Sequence, residues 1–347
     1  MSIKFAILAP RLALKKGLPL TRYARVTGWG KYLPDKVLTN QELERMVNTE
    51  DSWISSRTGI RERRIAAADE TASTMGVLAS REALAISGLP PDSLDLVIGA
   101  TCTPDHIFPA CASLVQDSLG AKKAAAFDIN AACSGFVYAL ATACQFIAAG
   151  SYNNVLVVGS EVYSRILDWQ DRSTCVLFGD GAGAVVIQAS DSPSGPFSFI
   201  LGNDGSGAGT IYTPGPCGVN DGRYFITMKG PETYRFAVNI MCQATKEVVA
   251  AAGLDLSDID LIIPHQANTR IIKSAARLLN IPLDKFFVNV DRYGNTSAAS
   301  IPIALCEAVE EGRVKNGDRL VMVGFGGGLS WAAMLIEWAP GERTPQT

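Results

Sequence analysis

The 347-residue sequence predicts an α/β fold assembled from two copies of one strand-and-helix unit. Short apolar runs rich in Val, Ile and Leu alternate with Ala-rich stretches whose apolar positions recur at helical spacing. Gly and Pro punctuate the joints between them. Segments of the second half also fall on segments of the first at a single fixed offset.

In chain order, residues 25–30 read as a first strand and its turn. Asn40 is placed to cap a helix running through Met46, with Glu42 and Glu44 in the first turn, where the helix dipole favours acids. Residues 51–61 are amphipathic and rich in Arg, and Glu62, Arg63 and Arg64 extend the charge. Residues 73–87 read as an Ala-rich buried helix that Gly88 stops. Residues 94–100 read as a buried strand, followed by a loop at 101–104. Phe127, Asp128 and Ile129 end a short strand; from Ser134 small and apolar residues keep helical spacing to Ala149, and Gly150 ends the run. Residues 179–183 (GDGAG) resemble a phosphate loop but lack its Lys and its strand-then-helix setting. Val185, Val186 and Ile187 follow at once, so the segment reads as a tight turn into a strand.

Residues 82–88 fall on 247–253, 94–98 on 259–263, 139–140 on 304–305 and 155–159 on 320–324, each pair 165 apart, and Asn130 falls on Asn295. One ungapped register through helix, strand, helix and strand reads as an internal duplication. If the copies pack about a pseudo-twofold axis, equivalent loops meet near that axis. The loop with Asn130 and Cys133 then faces the one with Asn295. The strand ending at Ile263 delivers Pro264 and His265 to the same region, and the strand ending at Val323 delivers Gly326, Gly327 and Gly328. Ligands of α/β sheets collect beyond such carboxyl ends.

A net charge of −3, with 19% charged residues and no basic stripe, argues against nucleic acid as the main ligand. No apolar run reaches the ~18 residues of a membrane span. Near the N-terminus the apolar residues 5–10 are too few, and Arg11, Lys15 and Lys16 lie on the wrong side, for a secretory signal. Eight cysteines without metal-ligand spacing suggest a reducing cytoplasm and no metal.

Cys133 sits where a strand turns into a buried helix. Unsatisfied N–H groups and the positive dipole end there favour a thiolate, although free Cys is also a common buried core residue. His265 is one of just two histidines and follows a strand inside a polar run, a setting for acid–base or hydrogen-bonding work. The other, His106, reads as structural or interfacial. Asn295 lies in a turn and could merely cap the following helix; beside Cys133 and His265 its amide can donate to a developing oxyanion. The triple glycine at 326–328 allows a backbone N–H to approach the same oxygen.

Residues 132–136 (ACSGF), 264–268 (PHQAN), 293–300 (YGNTSAAS) and 325–328 (FGGG) together resemble the β-ketoacyl-[acyl-carrier-protein] synthase III family of the thiolase superfamily. Residues 53–61 (WISSRTGIR) and 178–183 (FGDGAG) strengthen the likeness, which runs from about Arg25 to Trp338. Elongating relatives use two histidines where this chain has His265 and Asn295. The resemblance implies the five-layered αβαβα thiolase fold, a homodimer, and a chain divided into an N-terminal extension (1–21), a half carrying the nucleophile (22–195) and a half carrying His and Asn (196–347).

It also implies a chemistry. Cys133 would take an acyl group from acyl-CoA, with the N–H groups of Cys133 and Gly327 as oxyanion hole. His265 and Asn295 would stabilise the enolate formed as a malonyl carrier protein loses CO₂. The product begins a fatty acid, and no permanent cofactor is implied. Trp53 and Arg57 would sandwich the adenine of CoA, joined by Arg172. Gly230, Tyr234, Asn268 and Arg270 would line the pantetheine tunnel, while Tyr163, Phe178 and Phe325 belong to the acyl pocket and tunnel. Phe108 would cross a dimer interface to close the partner's pocket. Arg235, Arg270, Lys273 and Arg277 would form a docking patch for the acidic acyl carrier protein. Tyr163 is larger and more polar than the aliphatic residue expected there. An enzyme of specialised metabolism with an unusual primer or an alcohol or amine acceptor stays open; the intact Cys133, His265 and Asn295 argue against a silent subunit, and the lack of a cysteine beyond Cys306 argues against a degradative thiolase.

Overall fold

Two mixed sheets carry most of the strands, and their strand order is the same. The computed structural model describes residues 22–192, 195–218 and 222–340, so the expected extension 1–21 lies outside the described residues. The first sheet contains β1 (Tyr23–Tyr32), β2 (Leu96–Ala100), β3 (Ala125–Ile129), β4 (Asn154–Val162) and β5 (Asp180–Ser190). The second contains β6 (Pro196–Asn203), β7 (Leu261–Pro264), β8 (Arg319–Gly326) and β9 (Ser330–Glu337). Sheet one runs β1-β5-β4-β2-β3 and sheet two runs β6-β9-β8-β7. Where the first has β3, the second keeps one parallel bridge between Ile262 and Phe286. In both, one pair (β4 with β2, β8 with β7) is parallel; β2 also pairs parallel with β3, and the remaining pairs are antiparallel.

The helices that frame the sheets are α1 (Asp51–Thr58), α2 (Ala72–Ser87), α3 (Cys111–Leu119), α4 (Gly135–Ala148), α5 (Gly230–Ala251), α6 (Thr269–Leu279) and α7 (Ser300–Glu310). Successive strand residues face opposite ways, and each sheet is apolar on both faces. Val155 and Val157 of β4 and Leu320 and Met322 of β8 point to a central core with Phe136 and Leu140 of α4 and Ile301 and Leu305 of α7. Leu156 and Val158 point outward to α2 and α3, and Val321 and Val323 point outward to α5 and α6. The layers are therefore α2–α3, sheet one, α4–α7, sheet two and α5–α6, the expected αβαβα order. Helix α4 lies between two sheets, which explains why its apolar residues go all round. Each large aliphatic chain buried here contributes about 1.5–3 kcal/mol.

The duplication has a backbone signature at the centre. Ala132 (φ 47°) and Ser297 (φ 48°) are two of the three non-glycine residues with positive φ among those described, and they are 165 apart. Each opens a short 3₁₀ turn, Ala132–Ser134 and Ser297–Ala299, that runs into the central helix of its half. Each turn is packed against a glycine of the other half. A Cβ at Gly159 would lie 2.5 Å from the Ala298 carbonyl oxygen, and one at Gly324, again 165 further on, 3.0 Å from Ser134 Cα.

Two local expectations change. The first helix is capped by Thr39, whose side chain pairs reciprocally with Glu42, and it stops at Leu43. The pattern Thr-x-x-Glu is a capping box, whereas Asn40 turns inward, donating to Asp51 and Ile60 and accepting from Arg63. The glycines at 181 and 183 lie within β5, and a Cβ at Gly183 would meet Pro302 at 2.7 Å, so close packing on α7 accounts for that residue.

Candidate active site

Cys133 sits in the turn before α4, buried to 4% exposure, at the junction of two cavities. One, about 580 Å³, is lined by Trp53, Arg57, Gly230, Tyr234, Arg235, His265, Asn268, Arg270, Asn295, Phe325 and Gly326 as well as Cys133. Its Arg57, Arg235 and Arg270 are exposed and its His265 and Asn295 buried, so it narrows from a basic mouth to a floor holding sulfur, imidazole and amide. The other, about 540 Å³, leads from Cys133 past Cys102, Asn130, Tyr163, Ile226 and Gly327.

The groups on the floor are fixed by contacts between the two halves as well as within them. The Cys133 turn is tied across the halves: Ser134 Oγ and Ser330 Oγ are 2.8 Å apart, and Ser330 donates within 2.9 Å of both the Ala131 and Gly327 carbonyls. A Cβ at Gly326 would fall 2.7 Å from the Cys133 nitrogen, so the glycine loop lies directly against the nucleophile's backbone. Asn295 donates its N–H to the Leu177 carbonyl at 2.8 Å and accepts from Gly179 N–H. Its side-chain Oδ1 accepts the Ser297 N–H at 2.8 Å, so the residue shapes a turn, and it also lines the cavity. His265 follows β7, its Nδ1 lies 2.6 Å from Ser300 Oγ, and the Phe325 ring packs edge-on at 5.2 Å.

Burial sets the charge states. The Cys133 thiol is pushed up to about 12, first by desolvation and further by the nearby Glu161 carboxylate, against a lowering contact with the Ser297 hydroxyl. Burial thus opposes the thiolate that a helix terminus favours. Burial lowers His265 to about 3, so the imidazole is neutral at pH 7.

Sequence reasoning missed Glu161. Wholly buried at the end of β4, its carboxylate accepts from Cys102 N–H at 3.0 Å, Thr103 Oγ1 at 2.7 Å and, from the second half, Ala298 N–H at 3.4 Å. Desolvation raises it to about 7. A lone Glu in the apolar run 155–162 was the available signal, since a buried charge demands partners. It also missed Ser300, which sits in an apolar helix start.

Other expected residues are distributed as follows. The Arg172 guanidinium lies over Trp53 at 5.0 Å, and Arg57 lines the same cavity. Arg270 lies over Tyr234 at 5.6 Å. Asn268 caps α6 through Arg270 N–H and donates to the Arg57 carbonyl, so part of its amide is spent on structure. Tyr163 stacks on Phe178 at 4.8 Å. Phe108 is 83% exposed and lies outside the cavity linings of its own chain. Arg235, Arg270, Lys273 and Arg277 are all exposed. Among the described residues no His, Cys, Asp and Glu cluster could hold a metal, and no helix is long and apolar enough to cross a membrane.

Comparison with known proteins converges on one family. Residues 127–205 match the family model for 3-oxoacyl-[acyl-carrier-protein] synthase III, and residues 249–338 match that for its C-terminal part. The chain is 51% identical over 330 residues to the β-ketoacyl-[acyl-carrier-protein] synthase III of Roseiflexus castenholzii, covering 93% of this chain and all of that one. It is 52% identical over 321 residues to that of Symbiobacterium thermophilum, covering 90% and 97%. The crystal structure of 3-oxoacyl-[acyl-carrier-protein] synthase III from Aquifex aeolicus superposes with a TM-score of 0.87 at 50% identity, over 91% of this chain and all of that one. The chain thus belongs to the β-ketoacyl-[acyl-carrier-protein] synthase III family.

Proposed function

We propose that this enzyme joins an acyl-CoA primer to malonyl-[acyl-carrier-protein], with loss of CO₂ and CoA, to give the β-ketoacyl-[acyl-carrier-protein] that starts a fatty acid. The observation that carries the reading is the position of Cys133 at the junction of two cavities: the one with a basic mouth suits an incoming thioester, and the other suits its acyl chain.

In the first half-reaction the Cys133 sulfur attacks the thioester carbonyl. The backbone N–H groups of Cys133 and Gly327 hold the oxyanion, and the thiol proton leaves with the CoA sulfur. No resident base is needed for that balance, which suits a neutral thiol. In the second, the malonyl carboxylate departs as CO₂ while the Asn295 amide and the His265 imidazole donate to the thioester oxygen. The resulting enolate carbon attacks the acyl-Cys133 carbonyl, the carbon–sulfur bond breaks, and the thiolate takes a proton from solvent. Two aimed donors account for the step, each of a kind worth about 3–4 kcal/mol.

Trp53, Arg57 and Arg172 hold the CoA adenine. The 5.0 Å gap between Arg172 and Trp53 is short of the roughly 7 Å that a base between two stacking partners takes, so Arg172 swings aside as CoA binds. Gly230, Tyr234, Asn268 and Arg270 guide the pantetheine arm. Arg235, Arg270, Lys273 and Arg277 steer the acidic carrier protein to the same mouth. Tyr163, backed by Phe178, lines the acyl cavity, and its size and polarity put the usual short primer in doubt. The enzyme acts in the cytoplasm as a homodimer. β3 is a sheet edge with one partner, and Ile107 and Phe108 are 72% and 83% exposed; both features suit a surface covered by a second copy.

The test is direct. Incubated with acetyl-CoA, the protein is expected to gain one acetyl group by intact mass, Cys133→Ala to gain none, and the acylated protein to convert malonyl-[acyl-carrier-protein] to the β-ketoacyl product. A panel of longer, branched and aromatic acyl-CoAs reads the primer. Acyl transfer to Cys133→Ala, or no acylation by any primer, overturns the reading.

A further inference from the structure

We infer that Ser300 is a positioning residue that holds His265 as the tautomer with its proton on Nε2, so that the imidazole meets the cavity as a hydrogen-bond donor. Ser300 is the first residue of α7 and is 2% exposed. Its Oγ lies 2.6 Å from His265 Nδ1 and also accepts the Gln266 backbone N–H at 3.4 Å. A hydroxyl carries one proton and two lone pairs. With a lone pair turned to Gln266, the proton is free for Nδ1, which is the one acceptor in reach of it among the described contacts. Nδ1 is thereby an acceptor, and the single proton of the neutral ring belongs on Nε2.

The frame around this pair is fixed. Gln266 donates its amide to the Pro264 and Phe287 carbonyls and accepts Asn289 N–H, so the chain that carries His265 cannot slide. Phe325 packs across the ring at 71° and blocks its rotation. Desolvation keeps the ring neutral, so it carries one proton and not two. As a donor, His265 stands beside the Asn295 amide as a second hydrogen bond to the thioester oxygen, and it is not an acceptor for the Cys133 proton. This rests on the two half-reactions proposed above. It makes His265 and Ser300 necessary for condensation and dispensable for acylation.

The chain's two histidines make the test clean. In protein labelled with ¹⁵N-histidine, the ring whose signals remain in His106→Gln is expected to show a protonated Nε2 and a bare Nδ1; a protonated Nδ1 overturns the inference. In Ser300→Ala the tautomers are expected to mix, and the single-turnover rate of condensation to fall about tenfold or more, with acylation rate and KM for the malonyl carrier unchanged. Ser300→Thr, which keeps the hydroxyl, is expected to restore both signals. Wild-type rate and tautomer in Ser300→Ala, or an equal loss of acylation, overturn the inference. If Ser300→Ala does not fold, the wild-type spectrum decides. The expected tautomer in a protein that acylates but never condenses would refute the reaction and leave the Ser300 assignment standing.

Discussion

Asn295→Asp separates the two half-reactions with the least disturbance. The Asn295 Oδ1 accepts the Ser297 N–H at 2.8 Å, and a carboxylate oxygen can do the same, so the turn keeps its shape. What is lost is the N–H₂ donor proposed for the thioester oxygen. Removing one preorganised oxyanion donor costs about 2.7–4 kcal/mol, or roughly 10²–10³ in rate. At 7% exposure, a carboxylate that stays ionised would also repel the forming enolate, by roughly 4 kcal/mol at 4 Å and an effective dielectric of 20, so about 10² is the lower bound. Asn295→Ala loses the same donor but also orphans the buried Ser297 N–H, which costs a further ~1–3 kcal/mol of stability. The assay loads each protein with acetyl-CoA, measures acylation by intact mass, then mixes it rapidly with malonyl-[acyl-carrier-protein] and follows one turnover. Both variants are expected to acylate at the wild-type rate and to condense at least about 100-fold more slowly; both are expected to melt earlier, the Ala variant for its orphaned N–H and the Asp variant for its buried charge. Condensation within threefold of wild type in Asn295→Asp, or acylation falling in step with it, would refute the assignment.

Gly159→Ala is expected to lose roughly 3 kcal/mol or more, because the added methyl would sit 2.5 Å from the Ala298 carbonyl, which is backbone and cannot swing away; a melting temperature within a degree of wild type would count against the close crossing of the two halves. Glu161→Gln tests the buried carboxylate through pH. Its folded pKa is raised from 4.5 to about 7, so the native state binds the extra proton and this stabilisation, complete below pH 4.5, is lost as pH climbs towards 7. The variant does not titrate, so its stability relative to wild type is expected to improve across that window, by roughly 3 kcal/mol at most; chemical denaturation at pH 4.5 and 7 giving the same difference would show that the fold does not raise the Glu161 carboxyl.

Periodicity and the fixed offset made most of the fold legible before any coordinates. The strand–turn–helix at Cys133, the buried helix after it and the end of β7 at His265 are local events, and local residue types announce them. Partners far apart in sequence were not legible. Ser300 bonds a histidine 35 residues away, and Glu161 ties a loop 59 residues before it to a turn 137 residues after it. Nothing in a run such as Ser-Ile-Pro-Ile says that its hydroxyl has an imidazole to meet. The charge state of Cys133 was illegible for a related reason: a helix terminus can be read from sequence, but how much water the fold removes from around it cannot.

The symmetry of the halves explains why chemistry gathers at one point. Both halves spend a strained residue, Ala132 or Ser297, and a glycine, Gly159 or Gly324, to bring their turns into contact. That contact is structural and is kept in both copies. Positions around it have diverged, Cys133 corresponding to Ala298 and Glu161 to Gly326, while Asn130 and Asn295 keep the same residue type. Glu161 clamps the Asn-bearing turn from below, while its counterpart Gly326 yields the space in which the nucleophile's backbone lies. Exchanging these two residue types would fail in both directions. A side chain at 326 would strike Cys133 N, and a glycine at 161 would leave the Cys102 and Ala298 N–H groups without their acceptor. The duplicated frame thus supplies rigidity twice, and the unequal side chains laid on it let one half present the sulfur and the other the two donors.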